Sequence, residues 1–561
     1  MSIHQKILKG DNKFMDRRLF LKYVGSSTAA LVAASSGIEA LTNKASAMTA
    51  NHLMNGQTKG IGKRLTAPFK PVSRTWENDL VLPEGYRYNI IASYGDVINS
   101  KGEKFGDSAD LTVYFPIDSL EGGNNSEEGL IWVNHEFPEP ENYMKILGID
   151  PSKFNKSNLS NYPELLKMEK EAVGGSVIRV KKEKGEWKLV KDDKYNRRVD
   201  GNTVITLTGP ARGSTAVKGA TKVIGTLGNC SGGRTLWDTV LSCEENTYYG
   251  DDYGWPNFID EHYGWVVEVD PFNPNAPVRK HTALGRFAHE NTAMGLTKDG
   301  RVVVYMGDDK GDAFFYKFIS KKKYNGNKRE ENFDILESGT LYVADLEKQQ
   351  WIALDYETNK DLQNYEKDGK KFFTSQADVL TYAREAGIAV KATPLDRPED
   401  VEIHPYDGSV FLSLTNNSKH GNFHGQIIRF IPAEGDHGSE KFTFEVFVAG
   451  GRQSGITCPD NLHFDSEGNL WVVEDFHATE DNVYAAFKNC GVFMIPTDGK
   501  NYGEPFQFAS GPRGCEVTGP WFTPDERTLF LDVQHPATWN PYPGYDFGRS
   551  CLVAVQGESF K

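Results

Sequence analysis

Residues 229–246 read NCSGGRTLWDTVLSCEEN and bring thiols and carboxylates together in one short stretch. Cys230 lies in a glycine-flanked turn, and the next predicted strand ends on Cys243, Glu244 and Glu245. The sulfurs could form disulfides, or at least one thiolate could bind a metal beside the carboxylates. Because side chains alternate along a strand, we expect Cys243 to face away from Glu244 and to serve in packing.

An internal repeat extends along the chain and must position these residues. Each copy has a polar cluster, a strand, a turn, a second strand, another polar cluster and a third apolar strand. The clearest copies begin at His289, Pro398, Pro459 and Cys515, and two looser copies precede them. Six strand-rich copies predict an all-β fold, a six-bladed β-propeller with inserted helices and loops. A large β-sandwich or two stacked β domains are the alternatives.

The repeat predicts a single propeller domain over residues 48–561, after an N-terminal signal at 1–47. Insertions at about 137–172 and 320–390 contain the few helix-like stretches, such as SQADVLTYAREAG. The stretches GTLYVADL and QQWIAL are expected to complete blades of the propeller.

The polar clusters of the repeat are the candidate functional residues. In a hairpin, the start of the first strand and the end of the second lie at one edge, so the clusters should line one mouth of the central channel. Crowded carboxylates raise one another's pKa values or recruit cations, and their oxygens suit Ca, Mg, Mn or ferric iron. A thiolate among them favours a transition metal, which makes metal binding the preferred interpretation of Cys230. The residues expected at this mouth are Asp110, His135, Glu136, Cys230, Glu244, Glu245, His289, Glu290, Asp308, Asp309, Arg397, Glu399, Asp400, Asn416, Asn417, Asp460, Asn461, Glu474, Asp475, Glu516, Gln534 and His535.

The six cysteines leave disulfides open. An even number in an exported protein allows Cys458 to pair with Cys515, or Cys490 with Cys551, although a core of this size needs no such link. The formal net charge of -14 argues against bulk binding of nucleic acid or anionic lipid. Outside the N-terminal signal, no apolar run is long enough for a membrane span.

The N-terminal stretch DRRLFLKYVGSSTAALVAASSGIEALTNKASA carries an export pattern. Arg17 and Arg18 precede a modestly apolar run, and a small-residue cleavage site follows at residues 45–47. The pattern resembles a twin-arginine signal; an ordinary secretory signal or a surface helix are the alternatives. The twin-arginine route carries folded proteins, so a metal centre could be loaded in the cytoplasm before export.

Short motifs occur along nearly the whole mature chain: WVNHE, NCSGG with LSCEEN, FAHEN, RPEDVE, PDNL with VVEDF, and GCEVTGP leading to QHP. Together with the signal they resemble the PhoX family of exported alkaline phosphatases. The resemblance implies a propeller that hydrolyses phosphate esters with a pair of Fe(III) ions and several Ca²⁺ ions at the channel mouth. One departure is QHPATW where the family is expected to have QHPGE, which leaves one supporting acid and its loop in doubt.

The resemblance also implies roles for individual residues. By motif, the family's metal ligands correspond to Glu136, Cys230, Glu290 and Glu399, and Cys230 is expected to contact iron. Further calcium ligands, or residues that hold the ligands, are Glu244, Glu245, Asp460, Asp475 and Glu516. Arg397, Cys230 and Glu399 are the expected catalytic residues.

Arg397 is the best candidate for binding the substrate phosphate through two hydrogen bonds, because it is the only arginine among the paired clusters. The alternative is a structural ion pair with Asp400. The cluster would neutralise charge on the phosphate and supply a metal-activated oxygen for in-line attack. A serine nucleophile is the competing mechanism, but Ser231 has no evident base nearby in the sequence.

The expected function is therefore hydrolysis of phosphate monoesters outside the cytoplasm, for phosphate scavenging. The expected partners are small phosphate esters and the twin-arginine translocation machinery, and the enzyme is expected to be a periplasmic or extracellular monomer. A phosphodiesterase or phosphotriesterase on the same centre is one alternative. A calcium-stiffened propeller that only binds a ligand is the other, although such a module would not need a thiol among its oxygen ligands.

Overall fold

The computed structural model describes residues 67–245, 253–536, 547–557 and 560. The export signal expected at 1–47 and residues 537–539 of the QHPATW motif therefore lie outside the described residues. None of the helices in the described part of the chain is long and apolar enough to cross a membrane.

The described strands form six blades, which confirms the predicted propeller. The first strand, β1 (Arg87–Ser93), joins the last blade. Blade 1 contains β2 (Ala109–Pro116), β3 (Glu128–His135), β4 (Gly174–Glu183), β5 (Glu186–Leu189) and β6 (Arg197–Val199). Blade 2 contains β7 (Val204–Thr208), β8 (Lys222–Ile224), β9 (Asn229–Arg234), β10 (Val240–Glu244), β11 (Val266–Val269) and β12 (Arg279–His281).

Blade 3 and its attached ribbons follow in the chain. The blade contains β13 (Ala293–Leu296), β14 (Arg301–Gly307), β16 (Phe315–Lys323), β17 (Gly339–Asp345) and β18 (Gln350–Ala353). One ribbon pairs β15 (Gly311–Ala313) with β21 (Leu395–Asp396), and another pairs β19 (Glu366–Lys367) with β20 (Lys370–Lys371).

The last three blades are regular four-stranded sheets. Blade 4 contains β22 (Pro398–Ile403), β23 (Val410–Leu414), β24 (Gln426–Pro432) and β25 (Phe442–Ala449). Blade 5 contains β26 (Pro459–Phe464), β27 (Leu470–Glu474), β28 (Gly491–Ile495) and β29 (Phe506–Ser510). Blade 6 contains β30 (Val517–Phe522), β31 (Thr528–Val533) and β32 (Cys551–Gln556), with β1 as its outer strand.

The inner strand of each blade is the first strand of its hairpin: β2, β9, β13, β22, β26 and β30. Each inner strand contacts the inner strands on both sides, and β30 contacts β2, so the ring is closed. Pairing of β1 with β32 joins the two ends of the described chain in one sheet. Between neighbouring blades, apolar faces pack together; for example, Trp471 of blade 5 packs with Leu529 of blade 6.

The insertions differ in part from the prediction. The first contains α1 (Pro140–Leu147) and α2 (Pro163–Ala172), which pack against each other. In the second, residues 320–323, 339–345 and 350–353 belong to strands of blade 3, because GTLYVADL and QQWIAL continue that sheet as β17 and β18. Its helical part is α3 (Lys360–Asn364), α4 (Gln376–Thr381) and α5 (Ala383–Ala389), so SQADVLTYAREAG is helical as predicted.

Candidate active site at the channel mouth

One backbone hydrogen bond recurs at the mouth end of every blade. The N–H of the residue at the end of the second strand donates to the carbonyl of a residue near the start of the inner strand. The N–O distances are Glu136–Ser108 3.0 Å, Glu245–Gly228 2.7 Å, Asp309–Ala288 2.9 Å, Thr415–Arg397 3.1 Å, Asp475–Cys458 3.0 Å and Gln534–Glu516 3.0 Å. This shared register brings residues from all six blades to one mouth, as the hairpin argument predicted.

The residue two positions after each accepting carbonyl lies in the first part of the inner strand or, in blade 3, just before it. These residues are Asp110, Cys230, Glu290, Glu399, Asp460 and Thr518. In blades 1, 2, 4 and 5 the register shifts at this point, so that two inner-strand residues oppose one partner residue. Such bulges bend the strand and change the direction of a side chain, and they explain how acids at the start of a strand reach the channel.

Backbone strain accompanies the bulges. Ser108, Gly228, Arg397 and Cys458 occupy the same register position in four blades, and all have positive φ, between 43° and 69°. A positive φ is costly for residues other than glycine and persists only where the surroundings enforce it. The unusual conformation of Arg397 is therefore part of the repeat, and it directs this side chain over the mouth.

The thiol predicted to bind a metal lies at the centre of an acidic group. Cys230 is 8% exposed, and its Sγ lies 3.3 Å from Asp110 Oδ2 and 3.1 Å from Glu290 Oε1. Glu136 joins Asp110 and Cys230 in one group, and Glu245 joins Cys230 and Glu290 in a second. In each group the ligand atoms lie within 4.8 Å of one another. Carboxylates shared around one thiolate are a donor set suited to a transition metal with hard cations beside it.

Arg397 spans the other side of the mouth. Its Nε and Nη2 donate to the two oxygens of Asp309 at 3.0 and 2.8 Å. Its Nη2 also lies 2.7 Å from Glu399, and its Nη1 lies 3.3 Å from Asp475. Asp400 is not a partner, so the ion pair considered for it from the sequence is not formed. Glu399 and Asp309 form a third group of possible ligands with Glu290. Because Glu290 also lies beside Cys230, this group connects Arg397 to the acids around the thiol.

Among the described residues, too few basic side chains lie near the mouth acids to offset the free-energy cost of burying their charges. Burial is the largest cause in each case, and it raises the pKa of Asp110 to about 7 and that of Glu245 to about 8. Burial and neighbouring carboxylates likewise raise the pKa well above its ordinary value for Glu136, Glu290, Glu399, Asp460 and Glu516. Burial, with Asp110 next, also raises the pKa of the Cys230 thiol. Bound cations would allow these groups to ionise.

Several oxygens at the mouth also lack a hydrogen-bond donor. Within the described residues, Asp110 Oδ1, Glu290 Oε2 and Gln534 Oε1 are buried and have no hydrogen-bond partner. Gln534 holds its neighbours through Nε2, which donates to Asp110 at 2.7 Å and to Glu136 at 2.9 Å. Unpaired buried oxygens are costly unless something binds them, so the donor set fits metal ions.

A second row of acids faces away from the mouth. Glu244, Asp308 and Glu474 each precede a mouth acid by one residue. Glu244 pairs with Lys280 at 2.7 Å and accepts a hydrogen bond from Trp265 N at 3.0 Å. Asp308 pairs with Arg384, and Glu474 with Arg74 at 2.6 Å. Glu244 was expected to bind or support calcium, but its oxygens bind protein donors instead. Because side chains alternate along the strand, the side chain of Glu244 points into the blade while that of Glu245 points to the mouth.

The histidines of the NHE and HEN motifs also face away from the mouth. His135 Nε2 lies 2.8 Å from Ser176 Oγ, and burial lowers the pKa of His135 well below its ordinary value. His289 stacks on Phe287, and burial lowers its pKa to about 3. Both imidazoles are therefore neutral residues of the core.

The cysteines other than Cys230 serve in packing. All six lie in described residues, all are buried, and none forms a disulfide. Cys243 packs with Leu241 and Val266, as its alternation with Glu244 predicted. The surroundings of Cys230 differ from these, because it alone contacts two carboxylates of the mouth.

A fourth group of possible ligands lies beside the mouth. His420 has Asp396 Oδ1 2.8 Å from Nδ1 and Asp312 Oδ1 3.1 Å from Nε2. The two aspartates belong to the ribbon β15–β21, which leads directly into Arg397. His420 therefore ties this ribbon to the loop after β23.

Asp110, Asp309 and Gln534 take a larger part in the site than we expected from the sequence, which placed them at the mouth without a role. The repeat register provides the missing signal. Asp110 occupies the position of Cys230, Glu290 and Glu399, and Asp309 the position of Glu245. Aligning the six hairpins by register would have identified both aspartates.

The profile of the family described as Alkaline phosphatase PhoX matches residues 67–537. The chain belongs to this family. The structure of Pseudomonas fluorescens PhoX in complex with vanadate, a transition state analogue, is 31% identical, with a TM-score of 0.76, and the match covers 87% of this chain and 98% of that one. This PhoX-family protein is thus an alkaline phosphatase, an enzyme that hydrolyses phosphate esters.

Two further solved structures are remote from this PhoX-family chain. A protein of unknown function from Dyadobacter fermentans is 11% identical, with a TM-score of 0.36 over 85% of this chain and 100% of its own. A Trichoderma reesei enzyme of family AA12 is 8% identical, with a TM-score of 0.35 over 89% and 100%. Neither similarity supports a conclusion. No curated protein matches the chain significantly.

Proposed function

We propose that this enzyme hydrolyses phosphate monoesters outside the cytoplasm at a centre of Fe(III) and Ca²⁺ ions in the channel mouth. The observation that carries the proposal is the buried thiol of Cys230, which lies 3.1 Å and 3.3 Å from carboxylate oxygens of Glu290 and Asp110. Oxygen ligands alone would suit calcium, whereas a thiolate among them favours a transition metal, for which the resemblance to PhoX implies iron.

The residues around the thiol would hold the iron ions. The proposed ligands are Glu136, Cys230, Glu290 and Glu399, as expected from the motifs, together with Asp110 and Asp309, which lie in the same groups of side chains. Glu245, Asp460, Asp475 and Glu516 would bind calcium or hold its ligands. When bound, the metal centre supplies positive charge against the phosphate oxygens and an activated oxygen for in-line attack.

Arg397 would orient the phosphate. Its side chain is 29% exposed, and the contact with Asp475, at 3.3 Å, is its longest ion pair. Asp475 is itself 33% exposed, so a phosphate oxygen can replace it on Nη1 without leaving a buried charge unpaired. Asp309 and Glu399 meanwhile hold Nε and Nη2, which fixes the plane of the guanidinium.

The competing serine mechanism has less support. Ser231 is 1% exposed, and its Oγ lies 3.4 Å from Asp400 Oδ2. It lines the channel below the mouth, where the position is too enclosed for attack on an ester. A nucleophilic serine needs a base and an accessible substrate.

Purified enzyme tests the proposal directly. We expect a visible colour from thiolate bound to ferric iron, iron and calcium in metal analysis, and higher kcat/KM for phosphate monoesters than for diesters or triesters. Colourless, iron-free enzyme with full activity would contradict the iron centre. Preference for a diester or triester would instead support the alternative substrate class on the same centre.

The proposed location rests on the twin-arginine pattern of the N-terminus. This pathway reads the arginine pair as an address, so changing Arg17→Lys together with Arg18→Lys should leave precursor in the cytoplasm. Cell fractionation with an immunoblot measures the outcome. Normal export of the double variant would exclude the twin-arginine route and leave the ordinary secretory signal.

A further inference from the structure

A small cavity lies in the central channel below the mouth, enclosed by residues from all six blades. The polar residues that line it are Ser231, Asn291, Asp400, Glu402, Asn461 and His463. Its volume of about 10 Å³ leaves room for one water-sized occupant.

Two oxygens of the lining residues have no hydrogen-bond partner in the described residues: Asp400 Oδ1 and Asn291 Oδ1. Asp400 is 2% exposed and Asn291 3% exposed. Asn291 Nδ2 donates to Val401 O at 3.3 Å, which fixes the amide orientation. Asp400 Oδ2 accepts from Leu462 N at 3.2 Å, so only its Oδ1 remains free for a ligand. A buried oxygen without a donor is costly, and two such oxygens around one cavity indicate an occupant.

The charge of the lining favours a cation as this occupant. Asp400 and Glu402 contribute carboxylates, His463 lies 3.7 Å from Glu402, and no lysine or arginine lines the cavity. Ser231 and Asn461 add further polar side chains.

We propose that this cavity binds a hard cation of the calcium class, as a site separate from the ions of the mouth. Asp400 and Asn291 supply the free oxygens, and Glu402 and Ser231 supply further oxygen ligands of the kind calcium takes. The two sites are separate, because Glu399 belongs to the mouth group with Glu290 and Asp309, while Asp400, the next residue in the bulge of β22, lines the cavity. The ion joins the inner parts of blades 2 to 4 and stabilises the closed ring, whatever metals the mouth contains.

Metal analysis and thermal unfolding of the holoenzyme test the site without an activity assay. Asp400→Asn keeps the size and removes the charge, so we expect roughly one calcium ion fewer per chain and unchanged iron. The rise in Tm on addition of CaCl₂ should also shrink relative to wild type. The control is Asp465→Asn, which removes a buried carboxylate at the β26–β27 turn, outside the cavity, and should leave metal content and the calcium response unchanged.

Terbium reports the position of the ion. Trp521 lines the cavity, so terbium exchanged into the site should emit on tryptophan excitation, and Trp521→Phe should lower this emission while the terbium content stays the same. Equal calcium content and equal calcium response in Asp400→Asn and wild type would overturn the proposal. So would a parallel loss of iron and calcium, since Asp400 would then support the mouth. If Asp400→Asn fails to fold, Glu402→Gln provides the same comparison.

Discussion

Arg397 and Asp309 form a two-point ion pair across the boundary between blades 4 and 3, with N–O distances of 3.0 and 2.8 Å. The preceding residue, Asp308, forms a similar pair with Arg384, on the side of the strand that faces away from the mouth. Two adjacent aspartates thus bind two arginines, and only one of these arginines reaches the channel. This arrangement provides a matched pair of variants.

Arg397→Lys should impair catalysis without removing metal. Lysine keeps the positive charge but loses the planar fork that aligns with two phosphate oxygens, so kcat/KM should fall by more than about tenfold, on the order of 2 kcal/mol. Iron and calcium contents should stay near wild type. The control Arg384→Lys should lower Tm and leave kcat/KM nearly unchanged. Loss of metal with unchanged turnover per loaded site in Arg397→Lys would show that Arg397 only supports the ligands.

Cys230→Ser should lower iron content, colour and turnover together, because a largely protonated hydroxyl replaces a soft thiolate of similar size. Cys243→Ser is the control, since Cys243 lies in the apolar core beside Leu241. We expect this variant to lose stability and keep its iron. Equal, mild effects at both positions, measured by metal analysis and visible absorption, would argue against a thiolate ligand.

The neighbours Glu244 and Glu245 should respond in opposite ways to the same change. Glu245→Gln should reduce metal content and activity, because its carboxylate lies with Cys230 and Glu290. Glu244→Gln leaves Lys280 buried without its counter-ion, which should cost about 3 kcal/mol of unfolding free energy with little change in bound metal. Denaturant unfolding and metal analysis of both variants measure the contrast; the reverse result would assign the ligand to Glu244.

Removal of the metals should make stability depend on pH. In the folded, metal-free protein the pKa is about 7 for Asp110 and about 8 for Glu245, above the values of 3.8 and 4.5 expected without burial. The folded state therefore binds more protons, so this contribution to stability is present at low pH and is lost as pH rises through 7 to 8.

The measurement is denaturant unfolding of chelated protein at about pH 5.5 and about pH 8.5. We expect lower stability at the higher pH, no phosphatase activity after chelation, and recovery of both when metals are restored. Asp110→Asn should weaken the pH dependence, since it removes one titrating group. Full activity in protein shown to be free of calcium would contradict a metal-dependent centre.

The sequence by itself determined the architecture and which polar clusters lie at the mouth end of the blades. The repeat of polar cluster, strand, turn and strand predicted six hairpins, and the third strands GSVIRV, GWVVEV and GQIIRF each lie in the blade predicted for them. These features depend on local patterns, because strand alternation and turn residues are set by neighbours in the chain. The same local rule correctly assigned Cys243 to the core.

Only the tertiary structure decided which member of each acidic pair reaches the channel. It also decided which side chain each charged residue pairs with. Bulges at the start of the inner strands interrupt the alternation of side chains. The two-residue period of a strand therefore does not determine which way the side chains of Asp110 and Glu399 point. The cations that neutralise the outward acids come from distant segments, as Arg74 does for Glu474. Arg397 pairs with Glu399, two residues along the chain, and with Asp309 and Asp475 of the neighbouring blades, but not with Asp400. Closure of the ring brings the two distant carboxylates within reach of the guanidinium.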